Sequence, residues 1–261
     1  MKFSIKRVLA ATMAAATVLT AAPAVAPVVS YAATSKSSAA KAKDQKKKTV
    51  TAKNATGEKG LSSLKVNTYK AGKATITSVS VSKKAKTVTI PSKVTVGGVK
   101  YRVTSIAANV FKGKKVTTIN VPSSITSVDK KAFKGVKGLK KITYTGTSAK
   151  VVSAIKAALK KSNVKKVTVV ASATPGKPSS LKVKAGKKKF TVTYKKASKK
   201  PSKYQISYKK KGAKKWTTKT VSSKTLKKTY KVKKGTYQVR VRAVKGSLNG
   251  KWSSTKTVKV K

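Results

Sequence analysis

The 261-residue chain has no cysteine, no histidine and only three acidic residues, Asp44, Glu58 and Asp129. Without cysteine there is no disulfide, and without thiolate or imidazole the usual transition-metal ligands are missing. The commonest general base is missing with them. Paired-carboxylate hydrolysis needs two acids on one surface. Here Asp44 and Glu58 fall in a polar linker, and Asp129 stands alone beside Lys130 and Lys131. Ser62-x-x-Lys65, Ser127-x-x-Lys130 and Ser179-x-x-Lys182 fit a serine–lysine nucleophile, but a chain this rich in both residues produces such spacings by chance. The S-D-N and K-T-G companions are absent, as are a P-loop and G-x-G-x-x-G. These absences predict a protein that is not an enzyme and uses no cofactor or metal.

What is present in excess is lysine. Lysine and arginine number 65 and the formal net charge is +62. The charge divides as +3 over residues 1–32, +6 over 33–60, +23 over 61–172 and +30 over 173–261, so it coats every segment. Only Arg7, Arg102, Arg240 and Arg242 are arginine. Arginine reads phosphates, carboxylates and guanine edges bidentately, whereas lysine is a hydrated point charge. The balance therefore favours diffuse, salt-sensitive attraction to polyanions over sequence-specific reading of nucleic acid. The competing explanation is that lysine only solvates the surface and keeps strand edges from pairing. The densest runs are Lys46, Lys47 and Lys48, then Lys187, Lys188 and Lys189, then Lys209, Lys210, Lys211, Lys214 and Lys215. These are the candidate polyanion-binding residues.

Residues 1–32 have the form of a secretory signal. Lys2, Lys6 and Arg7 precede an apolar run from Val8 to Ala22, with Ser30-Tyr31-Ala32 as the expected cleavage site. The alternative is an uncleaved anchor; cleavage would leave no membrane span. Residues 33–60, rich in Ala, Ser, Thr and Lys, are expected to be a disordered linker, since little there can offset chain entropy.

The stretch from Val103 to Tyr144 contains one phrase twice. Ile106, Phe111 and Gly113 are answered 22 residues later by Val128, Phe133 and Gly135. Val116, Ile119 and Val121 are answered at a spacing of 23 by Leu139, Ile142 and Tyr144. A fixed apolar pattern with a period in this range marks a solenoid whose units bury their faces only by stacking. V-x-x-I-x-V is a short strand ended by Pro122, and Phe111 and Phe133 are expected to plug the core from the turns. Thr87–Pro91 repeats the strand-then-proline phrase, and Val94–Tyr101 is a hairpin turning at Gly97-Gly98. Leu61–Tyr101 is thus the N-terminal cap. A helix begun by Ser148 and stopped near Asn163, with Val151, Ile155, Ala158 and Leu159 on one face, followed by a strand over Val164–Val170, is the C-terminal cap.

Over Val88–Tyr144 the I-T-S-V…A-F-K-G phrase resembles the leucine-rich repeats of BspA-like bacterial surface antigens. That resemblance implies a small β-lined solenoid on a secreted protein, and no reaction.

Ala173–Pro178 is a compact joint, and residues 179–261 hold seven short β patterns, which suggest a sandwich. They are Leu181–Ala185, Phe190–Lys195, Tyr204–Tyr208, Trp216–Val221, Thr229–Val232, Tyr237–Val244 and Thr257–Val260. Gly235–Val244 followed by Gly250-Lys-Trp-Ser253 resembles the last two strands of a fibronectin type III domain, with Tyr237 at the position of that family's tyrosine corner. Two positions depart from the pattern: Tyr194 stands where the family has a buried Trp, and Lys233-Lys234 replaces an expected apolar residue. Most aromatics fall in strand patterns and are accounted for by core packing. Trp216, Trp252 and Tyr208 are left unassigned, stacking on single-stranded nucleic acid being the functional alternative.

The expected whole is mainly β: a signal peptide (1–32), a linker (33–60), a capped leucine-rich-repeat solenoid (61–172), a joint (173–178) and a fibronectin type III-like sandwich (179–261). The expected function is a non-enzymatic adhesion or binding protein, secreted and either retained at the cell wall or released. Its expected partners are anionic polymers of wall or host surface, with host or neighbouring-cell proteins as further partners. No sorting signal is seen after the last strand and no lipobox cysteine exists, so retention would be electrostatic. The alternatives are a freely secreted, sequence-indifferent polyanion binder and a cationic membrane-active effector. The latter lacks a long amphipathic helix in the mature chain.

Overall fold

The computed structural model describes residues 43–51 and 60–261. The expected signal segment and most of the expected linker lie outside the described residues. Residues 45–51, assigned to the disordered linker on composition, are instead a strand, β1 (Gln45–Thr51). It pairs antiparallel with β2 (Leu61–Tyr69). The composition misleads because one apolar side chain suffices for an edge strand: Val50 is buried against the solenoid core. Polar bonds fasten the entry. Lys43 N donates to the Tyr101 hydroxyl (2.9 Å), Thr68 Oγ1 donates to the Lys43 carbonyl (2.9 Å), and Lys70 N donates to Asp44 Oδ1 (2.8 Å).

Next come β3 (Lys73–Val81), β4 (Thr87–Thr89), β5 (Lys93–Val96), β6 (Val99–Ile106), β7 (Thr118–Val121), β8 (Ser127–Val128) and β9 (Lys141–Tyr144). Helix α1 (Ala149–Lys161) and β10 (Thr168–Ala171) complete the module. Two walls enclose its core. One is the sheet β1-β2-β3-β6-β5, with β8 also paired to β6. The other is the parallel sheet β10-β9-β7-β4.

The sequence period reappears as strand register. Ile106 pairs with Val128, Ile119 with Ile142, and Val121 with Tyr144. β4 and β10 extend the same rows, Val88 beside Ile119 and Val169 beside Ile142. The parallel wall therefore has four rungs, two more than the clear sequence copies. Alternation in each strand turns Ile119 and Ile142 inward, fully buried, and leaves Asn120 and Thr143 outward. In the turns Phe111 and Phe133 are fully buried and stack with centroids 5.8 Å apart and planes 16° apart. Gly113 and Gly135 sit at φ 73° and 74°, where an L side chain is strained, and Gly113 N donates to the Gly135 carbonyl across the rungs (2.8 Å).

The caps also follow their signals. The β5–β6 hairpin turns on Gly97 and Gly98, both at positive φ. Ser148 is the N-cap of α1, accepting from Val151 N, and Val151, Ile155, Ala158 and Leu159 are its buried face. The last strand is shorter and later than expected. Asn163 and Lys166 adopt positive φ, so the chain turns through 163–167 before β10 begins. Asp129 Oδ1 accepts from the Lys131 backbone N–H at 2.7 Å, so this acid closes a turn.

The second module holds β11 (Ser179–Gly186), β12 (Lys189–Lys195), β13 (Lys203–Lys210), β14 (Thr217–Ser222), β15 (Lys227–Lys231), β16 (Gly235–Lys245), β17 (Leu248–Asn249) and β18 (Lys256–Val260). Sheet β11-β12-β15 faces sheet β14-β13-β16-β17, with β18 also on β16. This is a fibronectin type III-like sandwich. All seven expected patterns fall on strands, except that Trp216 precedes β14 and Val232 follows β15. Tyr237 forms the expected corner, its hydroxyl donating to the Lys233 carbonyl (3.0 Å). Tyr194 fills the Trp position, buried edge-on to Tyr204 at 4.9 Å with its hydroxyl donating to Thr225 O (2.6 Å). Tyr208 belongs to the core, edge-on to Phe190 at 5.3 Å.

Each module has its own core. Between them Ser247 N donates to Thr147 O (3.1 Å), and Ala149 N donates to Ser247 Oγ (2.8 Å).

Candidate polyanion-binding surface

In an antiparallel sandwich, turns after the first, third and fifth strands come out at one pole. Here those are β11–β12, β13–β14 and β15–β16, and β18 ends at the same place. The register ties them together. Lys189 pairs with Lys231 across β12 and β15. Val232 N donates to Lys188 O (2.9 Å), Lys188 N donates to Lys261 O (3.0 Å), and Lys211 N donates to Thr236 O (2.8 Å). Thr236 in turn pairs with Lys259. Lys210 lies over Gly235, where an added Cβ would come within 2.8 Å of Lys210 Cε.

Two of the three lysine runs therefore meet at one pole. Lys187, Lys188, Lys189, Lys210, Lys211, Lys214 and Lys215 are exposed there, and Lys209 is half-buried with its Nζ donating to Ala213 O (2.8 Å). The fold adds Lys231, Lys233, Lys234, Lys259 and Lys261, which inspection of runs missed. The third run stands apart, on β1 of the solenoid: Lys48 is exposed, and the side chains of Lys46 and Lys47 lie outside what the structure describes.

Local structure holds the pole in place. The Tyr237 corner bond fixes the loop bearing Lys233 and Lys234. Two shallow depressions flank the tip. One, of about 530 Å³, is lined by Ala185, Gly186, Lys187, Lys259 and Lys261. The other, of about 500 Å³, is lined by Lys188, Lys231, Val232, Lys233 and Lys234. No acidic residue follows Asp129 in the sequence, so this module has no carboxylate side chain to neutralise the cluster.

Lysines occur at the opposite pole too, but that end is engaged by the joint. Lys199 Nζ donates to Ser172 O (2.7 Å), and Lys245 Nζ donates to Lys199 O (3.0 Å). A smaller basic edge follows the solenoid turns. Lys115 and Lys137 are bridged in adjacent parallel rungs, and Lys112 lies against Gly135. Point charges on fixed strand ends attract an anionic polymer without reading its sequence. Nothing in the cluster is arranged as a nucleophile beside a base.

Trp216 and Trp252, left unassigned above, sit on the outer face of the β14–β13–β16 sheet, interleaved with Arg240 and Arg242. Their signal in sequence is R-x-R on one strand with a tryptophan on either side in the chain.

The model of the BspA type leucine-rich repeat region matches residues 104–182. The match begins within β6 and runs past β10 into the first residues of the sandwich. Among solved structures, the FN1–FN3 domains of chicken CNTN1 align over 33% of this chain at 20% identity and TM-score 0.31, and the chain covers 32% of theirs. The fn3 domain of human contactin 1 aligns at 20% identity and TM-score 0.31, over 32% of this chain and 76% of that one. The FN5 domain of Drosophila Lar aligns at 22% identity and TM-score 0.29, over 33% of this chain and 96% of that one. Comparison with curated proteins gives no match. Among the described residues no helix is long and apolar enough to cross a membrane.

Proposed function

We propose that this chain is a non-enzymatic, exported bacterial binding protein that attaches electrostatically to anionic polymers such as teichoic acid, glycosaminoglycan or extracellular DNA. The solenoid is then free to engage protein partners. The observation that carries this reading is the convergence of sequence-distant lysine runs on the pole of the sandwich opposite the joint, in a module without acidic side chains. The test replaces Lys187, Lys188, Lys233 and Lys234 by glutamine and measures binding to duplex DNA and heparin as salt is varied. Each lysine that neutralises a phosphate contributes about 0.9 to the slope of log K against log salt, so the DNA slope should fall by about 2–4. Neutralising Lys195, Lys196, Lys224 and Lys227 instead should change it far less. Equal losses from both sets would reduce the pole to a sample of a uniform coat and overturn its assignment. On producing cells, a wash at about 0.5–1 M salt, where the screening length is only a few ångström, should release the protein. Full retention after the wash would refute electrostatic attachment.

A further inference from the structure

The outer face of the sandwich sheet carries a cluster of a different kind. Arg240 lies between two indoles, its guanidinium carbon 4.0 Å from the Trp216 ring centroid and 4.4 Å from that of Trp252. Arg242 also stacks on Trp252, at 4.5 Å, and Lys209 Nζ stands 5.2 Å from Trp216. Cation and indole alternate in the order Lys209, Trp216, Arg240, Trp252, Arg242. Strand period explains the placement. Arg240 and Arg242 are two apart on β16, opposite Ser207 and Gln205 of β13, while Val239, Val241 and Ala243 take the core side.

Stacking occupies the flat faces of the guanidiniums and leaves their N–H edges for hydrogen bonds. Those edges are poorly used. Arg242 Nε donates to Gln205 Oε1 (2.7 Å), but Arg240 Nε is buried with no hydrogen-bond partner. The module has no acidic side chain to offer. Burial first, and the charge of Arg240 second, lower the pKa of Arg242, so the two guanidiniums are held together against mutual repulsion. Stacking alone explains arginine beside tryptophan, but it does not explain a buried Arg240 Nε without an acceptor. Two of the chain's four arginines are at this one place.

We propose that the ladder is a binding site for a tetrahedral oxyanion, the group shared by phosphate and sulfate esters, taken at the free edges of Arg240 and Arg242. The lysine pole gathers charge without geometry, whereas this site is directional. Neither assignment depends on the other.

The chain's two tryptophans both belong to the ladder, so intrinsic tryptophan fluorescence reports on this face alone. The full-length protein is titrated with sodium sulfate and, separately, sodium phosphate, with ionic strength held constant by chloride. A saturable change with either anion is expected, and which one gives it identifies the ester class. Arg242→Lys keeps the cation but loses the fork, and should raise the half-saturation concentration at least about tenfold. Its urea midpoint is measured alongside, to show that it is folded. The glutamine variant of the lysine pole should keep the unmodified protein's curve. An unmodified protein that gives no saturable change with either anion overturns the proposal whatever the variants do. So does a folded Arg242→Lys protein whose curve superimposes on the unmodified one.

Discussion

Phe133→Ala probes whether the solenoid and the sandwich are separate cooperative units. Phe133 is fully buried and its ring lies 5.8 Å from that of Phe111. Truncating a buried Phe to Ala costs about 3–5 kcal/mol, of which the lost ring pair accounts for about 0.5–1.5. Domains of this size are stable by about 5–15 kcal/mol, so the solenoid should lose roughly a fifth or more of its stability. The two cores share no residue, and both tryptophans lie in the sandwich. Urea unfolding followed by far-UV circular dichroism sees both modules, while tryptophan fluorescence sees only the sandwich. With m near 1–3 kcal/mol per molar, the dichroism midpoint of the solenoid should fall by roughly 1–5 M, while the fluorescence midpoint stays nearly in place. Phe111→Ala should do the same, and the double variant should show a coupling of about 0.5–1.5 kcal/mol between the rings. Two probes moving together, or a loss below about 1 kcal/mol, would refute both the separate cores and the plug.

Tyr237→Phe removes the hydroxyl that holds Lys233 O and should cost the sandwich about 0.5–1.5 kcal/mol in a urea melt. By loosening the loop that carries Lys233 and Lys234 it should also weaken heparin binding, and unchanged affinity with reduced stability would detach the corner from the pole. At high pH, burial first and the Tyr208 charge second push Tyr230 up to about 12, and burial also raises Tyr194 and Tyr208. In the unfolded chain these phenols ionise near 10, so the unfolded state loses protons first. The stability they contribute is complete below about pH 10 and drains away as pH rises towards 12. Tyrosinate absorbance should therefore lag and then rise together with loss of the dichroism signal. Full ionisation near pH 10 with the fold intact would contradict the burial.

The parts of the fold visible in the residues were those where one side chain repeats a task at fixed spacing. The spacing that relates Ile106 to Val128 and Phe111 to Phe133 became a register and a ring stack because parallel rungs place equivalent residues side by side. Glycine pairs at the hairpin and in the turns, and the Ser148 cap, carried their conformations with them. β1 was invisible because its membership of the sheet rests on Val50 and on backbone bonds that any side chain can make. β4 was visible as a further strand-then-proline phrase, whereas β10 was visible only as a strand, since a helix and not the Phe-Gly turn of the repeat precedes it.

The site was visible only in pieces, since a run of lysines shows charge and says nothing of what it will meet. The meeting follows from strand parity: runs after the first, third and fifth strands share an end, and runs after the second, fourth and sixth share the other. Strand order alone thus joins Lys187–Lys189 to Lys209–Lys215 and Lys231–Lys234. It could not have shown which end is free, because that depends on bonds such as Ser247 to Thr147 at the joint. The ladder was harder still, since Trp216 and Trp252 reach Arg240 from opposite directions in the chain. Its clue was chemical: in a sequence that uses lysine almost everywhere, arginine twice on one strand marks a place where the shape of the cation matters.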